Sequence, residues 1–218
     1  MLKLRWVVFA AACIAATSAI ATPLHEAVRT GDEAAVRRLL SIPSGPSLRE
    51  ARDGAGRTPL LLATELNRVT IARALIDAGA NVNAKDGKQD SPYLLAGAKG
   101  KLAILEMTLA HGADVFSTNR YGGTALIPAA ERGHVEAVRR LIAAGVDVNH
   151  VNRLGWTALL EAIMLSDGGP AHQKIVRLLI DAGADVNLPD RDGITPLQHA
   201  KQRGFGAIAQ ALRAAGAR

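Results

Sequence analysis

Six histidines, His25, His111, His134, His150, His172 and His199, are the side chains best placed to transfer protons or bind metal at neutral pH. None lies three or four residues from another, Cys13 is the only cysteine, and no cluster of carboxylates offers metal-ligand spacing. The glycine pairs Gly122-Gly123 and Gly168-Gly169 lack the preceding strand and the Lys-Ser/Thr ending of a phosphate loop. A catalytic site needs a nucleophile, acid, base or metal converging in one pocket. The residues predict neither a catalytic site nor a metal or cofactor. The chemistry they do offer is contact chemistry: Trp156, Tyr121 and several arginines, the types enriched at binding hot spots.

The elements that must position these groups are copies of one unit. Thr22-Pro23-Leu24-His25-Glu26-Ala27, Thr58-Pro59-Leu60-Leu61-Leu62-Ala63 and Thr195-Pro196-Leu197-Gln198-His199-Ala200 share a motif. It returns more loosely at Ser91, Thr124 and Thr157, so the six starts are separated by 36, 33, 33, 33 and 38 residues. A Thr or Ser hydroxyl can cap a helix start, and proline at the first helical position sacrifices no hydrogen bond, so each copy predicts a helix beginning. That helix should end near Gly31, Gly100, Gly133 and Gly204. A second helix follows, with an apolar face such as Val135, Val138, Leu141 and Ile142. Glycine closes it in Gly79-Ala80-Asn81-Val82-Asn83 and its equivalents at Gly112, Gly145 and Gly183. A polar turn comes next, as in Asn152-Arg153-Leu154-Gly155.

A period near 33 residues carrying Thr-Pro-Leu-His-x-Ala resembles the ankyrin repeat family, over Thr22 to Arg218. The resemblance implies an all-α solenoid of six helix-turn-helix repeats with projecting β-hairpin loops. The repeats fall at about 22–52, 53–85, 86–118, 119–151, 152–189 and 190–218. His25 and His134 stand where the family pattern often has histidine, which gives them structural roles. His199 lies one place beyond that position, and His111, His150 and His172 fall at a helix end, near a loop and in an insertion.

Three copies depart from the pattern. The first replaces the usual connection with Ser41-Ile42-Pro43-Ser44-Gly45-Pro46-Ser47, which predicts an irregular loop. The third has Gln89 where the turn glycine belongs, and the fifth carries about five extra residues, Ser166 to Pro170. The last copy, with Gln210 and Arg213 among Ala207, Ile208, Ala209 and Leu212, reads as a C-terminal cap.

In this family partners are held by loop tips and the inner face of the first helices. By register, the tips here are Arg57, Lys88, Asp90, Arg120, Tyr121, Arg153, Leu154, Trp156, Arg191 and Ile194. The inner-helix positions are Arg29, Glu65, Leu66, Lys99, Glu131, Arg132, Met164, Leu165, Gln202 and Arg203. Trp156 falls beside Tyr121 and Arg153 and centres this surface, with Met164 and Leu165 adding an apolar element. The alternative is that Trp156 folds over its own loop while Arg120, Arg153 and Arg191 only solvate the tips.

The first 21 residues read as a signal peptide. Lys3 and Arg5 precede an apolar run from Trp6 to about Ala16, and Ala19-Ile20-Ala21 supplies small residues for cleavage before Thr22. A cut after Ser18, an uncleaved anchor and lipid attachment at Cys13 are the alternatives; Trp6 to Ala21 is shorter than the roughly 20 residues a bilayer needs. Cleavage would leave no cysteine, hence no disulfide, and 24 basic against 20 acidic side chains. That mild excess, mixed in sign, argues against nucleic acid as a target. The expectation is a monomeric, exported, periplasmic adaptor that binds another protein and performs no chemistry, without stable membrane insertion after cleavage. An immunity or inhibitor protein that neutralises an envelope toxin or hydrolase is the alternative.

Overall fold

The computed structural model describes residues 21–218, so the expected leader, Ala21 apart, lies outside the described residues. Thirteen helices follow in the described chain, and twelve of them pair. The first members are α1 (Pro23–Thr30), α4 (Pro59–Glu65), α6 (Pro92–Ala98), α8 (Leu126–Glu131), α10 (Ala158–Met164) and α12 (Pro196–Gln202). Their partners are α2 (Glu33–Ser41), α5 (Val69–Asp77), α7 (Leu102–Ala110), α9 (Val135–Ala143), α11 (Pro170–Asp181) and α13 (Gly206–Ala214). First helices pack on first helices and second helices on second, giving two parallel rows with one continuous apolar core between them.

Capping chemistry starts most first helices. The hydroxyls of Thr22, Thr58, Ser91, Thr157 and Thr195 each accept a hydrogen bond from the backbone N–H three residues on, at 3.2 to 3.4 Å. Thr124 departs from this expectation. Its hydroxyl is buried without a partner, and α8 begins only at Leu126. The cause is Pro128. In the neighbouring copies the fifth residue closes the first turn, with the Leu95 N–H donating to the Ser91 carbonyl at 2.8 Å and the Glu161 N–H to that of Thr157 at 3.0 Å. Proline has no N–H to give, so the fourth copy loses this bond and its cap geometry together.

The projecting loops are turns, and no strand occurs among the described residues, which corrects the expected β-hairpins. The reason is local. Asp53, Asp86, Asn119, Asn152 and Asp190 each accept with Oδ1 from the backbone N–H groups two and four residues on. Each also donates its own N–H to the carbonyl four residues on. The backbone polar groups are therefore spent inside the turn, leaving few to build a ladder. The geometry requires positive φ at the fourth position, which glycine supplies in four copies; Gln89 takes it at φ 62° in the third. The expected irregular first loop is likewise ordered, forming the short helix α3 (Gly45–Arg49).

Side chains after the second helices clip successive copies together. The Asn83 amide donates to the Gly112 carbonyl and accepts from the Asp114 N–H, both at 2.9 Å. Asn149 does the same to Gly183 and Asp185, and Asn187 to Gly216 and Arg218. At the first seam, Arg49 and Glu50 at the end of α3 reach Ala78 and Asn81 instead. Between the third and fourth copies the register position is Phe116, which is 74% exposed and cannot make the clip. Phe116→Asn should restore two hydrogen bonds to Gly145 and Asp147 for about 1 to 2 kcal/mol in total. The thermal midpoint is then expected to rise by roughly 2 to 6 °C, which calorimetry would check.

Candidate functional site

The turns and the first helices converge on a cavity of about 300 Å³ running across the third, fourth and fifth copies. Asp90 and Lys99 line its near end, Arg120, Tyr121, Glu131 and Arg132 its middle, and Leu154, Trp156 and Leu165 its far end. Pro128 forms part of its floor, and Glu161 lies beneath the fifth turn.

Each wall has a positional cause. The Asn152 side chain that accepts from the Leu154 and Trp156 N–H groups, at 2.9 and 3.0 Å, fixes where those two residues leave the turn. Asn119 does the same for Tyr121 at 2.9 Å. The Arg120 guanidinium lies 4.7 Å from the centre of the Tyr121 ring and donates to its hydroxyl at 2.8 Å. Tyr121, Leu154 and Leu165 remain exposed, and Trp156 is half-buried.

Of the residues expected to form the surface, the structure brings together Asp90, Lys99, Arg120, Tyr121, Leu154, Trp156, Glu131, Arg132 and Leu165. The others are elsewhere or otherwise engaged. Arg57 pairs with Asp53 at 2.8 Å and Glu65 at 2.5 Å in the second copy. Lys88 is an exposed turn residue, and Ile194 and Met164 are half-buried away from the cavity. Arg153 donates to the Arg120 carbonyl at 3.0 Å, and Arg191 to that of Arg153, so these two brace successive turns. Arg203 reaches the Ser166 carbonyl at 2.7 Å.

The sequence reading missed Glu161. It is 6% exposed, and its Oε1 accepts from the Asn152 amide at 2.8 Å. One repeat later the same register and nine-residue spacing joins Asp190 to His199 Nε2 at 2.7 Å. The spacing was a signal available in the sequence. Burial, with the nearby Glu131 charge, pushes the Glu161 carboxyl up to about 7, against smaller opposing effects of the Asn152 hydrogen bond and Arg132. Burial and the Asp86 charge also raise the Asp90 carboxyl.

The folded chain thus holds the Glu161 proton more tightly than the unfolded chain, whose carboxyl keeps its ordinary value of 4.5. Stability from this group is complete below that value, falls as pH rises to about 7 and then levels off, an amplitude of up to about 3 kcal/mol. Glu161→Gln keeps the acceptor for Asn152 and removes the charge. It is expected to flatten this slope and to unfold at higher urea than the parent above pH 7, as urea titrations from pH 5 to 8 would show.

No group of three or more His, Cys, Asp or Glu among the described residues could hold a metal ion. None of the described helices is long and apolar enough to cross a membrane.

Stacked helix pairs bound by tight turns, presenting a lined groove, define a repeat scaffold of the solenoid class. A family model described as ankyrin repeats (3 copies) matches residues 11–86 and 94–190, and one described as ankyrin repeats (many copies) matches residues 170–213. The chain belongs to the ankyrin repeat family. It is similar to the crystal structure of an ankyrin repeat domain from Acinetobacter baumannii AYE, with 61% identity and a TM-score of 0.86, covering 90% of this chain and 98% of that one. It is also similar to the ankyrin repeat protein EF0377, with 40% identity and a TM-score of 0.83, covering 88% of this chain and 97% of that one. Inversin of Mus musculus is 42% identical over 66 residues, which are 30% of this chain and 6% of that protein's length. Ankyrin repeats generally mediate protein–protein interaction, and the family is typically a non-enzymatic interaction domain.

Proposed function

We propose that this chain is a monomeric, six-repeat adaptor of the bacterial envelope that performs no chemistry. It binds one partner protein through the groove between the turns and first helices of its third to fifth copies. The observation that carries this reading is the convergence of Tyr121, Trp156, Leu154 and Leu165 on one cavity, with flanking charges, while the equivalent arginines of neighbouring turns are spent on bracing. Half-exposed aromatics on a pre-ordered scaffold lose little entropy on binding, which suits them to anchor a partner.

Export is part of the proposal and rests on the residues themselves. Lys3 and Arg5, the apolar run from Trp6 to about Ala16 and the small residues Ala19 and Ala21 make residues 1–21 a secretory leader, with the repeats over 22–218. In the periplasm the chain would act without a disulfide and without nucleic acid or membrane as its target. Affinity capture from an envelope extract, followed by mass spectrometry, tests the proposal. One protein retained in equimolar amount is expected; retention of none would count against an adaptor.

A further inference from the structure

The buried acids of the turns are satisfied in different ways. Asp53 meets Arg57 at 2.8 Å, Asp190 meets His199 at 2.7 Å, and Asp86 accepts two backbone N–H groups. Glu161 is 94% buried, taking its 6% exposure, yet among the described residues it accepts only the Asn152 amide and joins no salt bridge. Its second oxygen has no donor, and the residue lines the cavity.

Lys99, Arg120 and Arg132 line the cavity, and none of them forms a salt bridge with Glu161. The Arg132 guanidinium donates to the Ala98 carbonyl at 2.7 Å, with Nε 3.9 Å from Glu131. Arg120 is held over Tyr121, and Lys99 is exposed at the near end. The buried Glu161 and the partly exposed Glu131 therefore stand on one wall beside aromatic faces.

The scaffold does not need a carboxyl there. At the same register the second and third copies carry Leu62 and Leu95, with Leu62 buried in the core, and the first carries Glu26, which is exposed and pairs with Arg29 at 2.6 Å. A buried carboxyl without a paired cation costs stability, and buried ionisable groups of this kind cluster at functional sites. What completes such a wall is a positive charge with an apolar stem, because a carboxylate attracts the head while aromatic faces accept both stem and cation.

We propose that this cavity takes up one basic side chain of the partner protein, lysine or arginine, its head meeting Glu161 and Glu131 and its stem lying against Tyr121, Trp156 and Leu154. The inference rests on the groove reading above and specifies the chemistry of its anchor. A bound cation keeps Glu161 ionised, so uptake strengthens as pH rises from 6 to 8. The charged groups that face Glu161 across the cavity are Asp90, Glu131, Lys99, Arg120 and Arg132.

The test uses the full chain and four small probes followed by NMR: the N-acetyl N-methylamides of arginine, lysine, citrulline and leucine. The Trp156 indole signal, assigned by its loss in Trp156→Phe, reports binding. The arginine or lysine probe is expected to shift it and saturate, with the citrulline and leucine probes at least tenfold weaker. Glu161→Gln, which should be more stable than the parent at neutral pH, is expected to reduce the basic probe to the citrulline level. No shift, equal shifts from arginine and citrulline, or an unchanged cation preference in Glu161→Gln would overturn the proposal. If that happens while Tyr121→Ala with Trp156→Ala still abolishes partner capture, the groove reading stands and only the basic anchor falls. If the aromatic pair is also without effect, the groove reading falls as well.

Discussion

Alanine at both Tyr121 and Trp156 is expected to weaken capture of the partner by at least about 30-fold, on the order of 2 kcal/mol, with the fold retained. The reasoning is geometric. Tyr121 is half-exposed and Trp156 half-buried, and both enter the cavity from turns whose backbone is closed by Asn119 and Asn152. Those turns persist without the aromatic rings, because the bonds that hold them run to the Tyr121 and Trp156 main chain. Calorimetry should accordingly show a midpoint no more than a few degrees below the parent, while surface plasmon resonance against the captured partner shows the loss. Arg153→Ala gives the contrast. It removes a brace to the Arg120 carbonyl at 3.0 Å and so acts on the scaffold before it acts on the partner.

The largest stability effect is expected at Leu126. Its side chain is fully buried between the helix rows, and truncation to alanine leaves a cavity costing about 2 to 5 kcal/mol. The position matters as much as the chemistry. The helix it starts has no side-chain cap, since the Thr124 hydroxyl is unpaired, and the seam behind it lacks the clip that Phe116 cannot make. In a solenoid each copy contacts only its neighbours, so a weakened interior copy uncouples the two sides. Leu126→Ala is thus expected to lower the midpoint and to broaden or split the urea transition. Leu212→Ala, equally buried but in the last helix, should fray only that end. A single sharp transition of unchanged width in Leu126→Ala would show that the fourth copy is not the weak link.

Most of the scaffold was legible in the chain because its determinants are local. A threonine or serine hydroxyl, a proline one residue on and a glycine some nine residues later specify a helix and its ends without help from distant residues. Where the reading failed, a second residue had overruled the first. Thr124 reads as a cap, but Pro128 removes the N–H that would close the turn above it. The Asp/Asn-Gly turns read as hairpins, but the side chain that favours the turn also absorbs the backbone N–H groups a ladder would need. The first connection reads as irregular, yet it folds into α3 and delivers Arg49 and Glu50 to the seam in place of the asparagine used elsewhere.

The candidate site was legible at its rim and hidden at its base. Tyr121, Leu154 and Trp156 stand at turn positions that packing does not dictate, so their types alone drew notice. Glu161 sits at a register position that holds leucine, proline or histidine in four of the other copies and the exposed Glu26 in the first, and helical periodicity assigns it to the scaffold. Its meaning depends on Asn152 being an amide, where Asp190 in the next copy is an acid facing His199. That exchange of partners appears only when the turn and the helix are placed against each other.

The central claim is that the partner is held in the groove of the third to fifth copies and not on the row of second helices. A photo-crosslinking residue at Leu154, exposed on the fifth turn, and another at Arg139, exposed on α9, test it in one experiment. After irradiation in an envelope extract, a single protein adduct is expected from position 154 and none from 139. An adduct from 139 with none from 154 would contradict it.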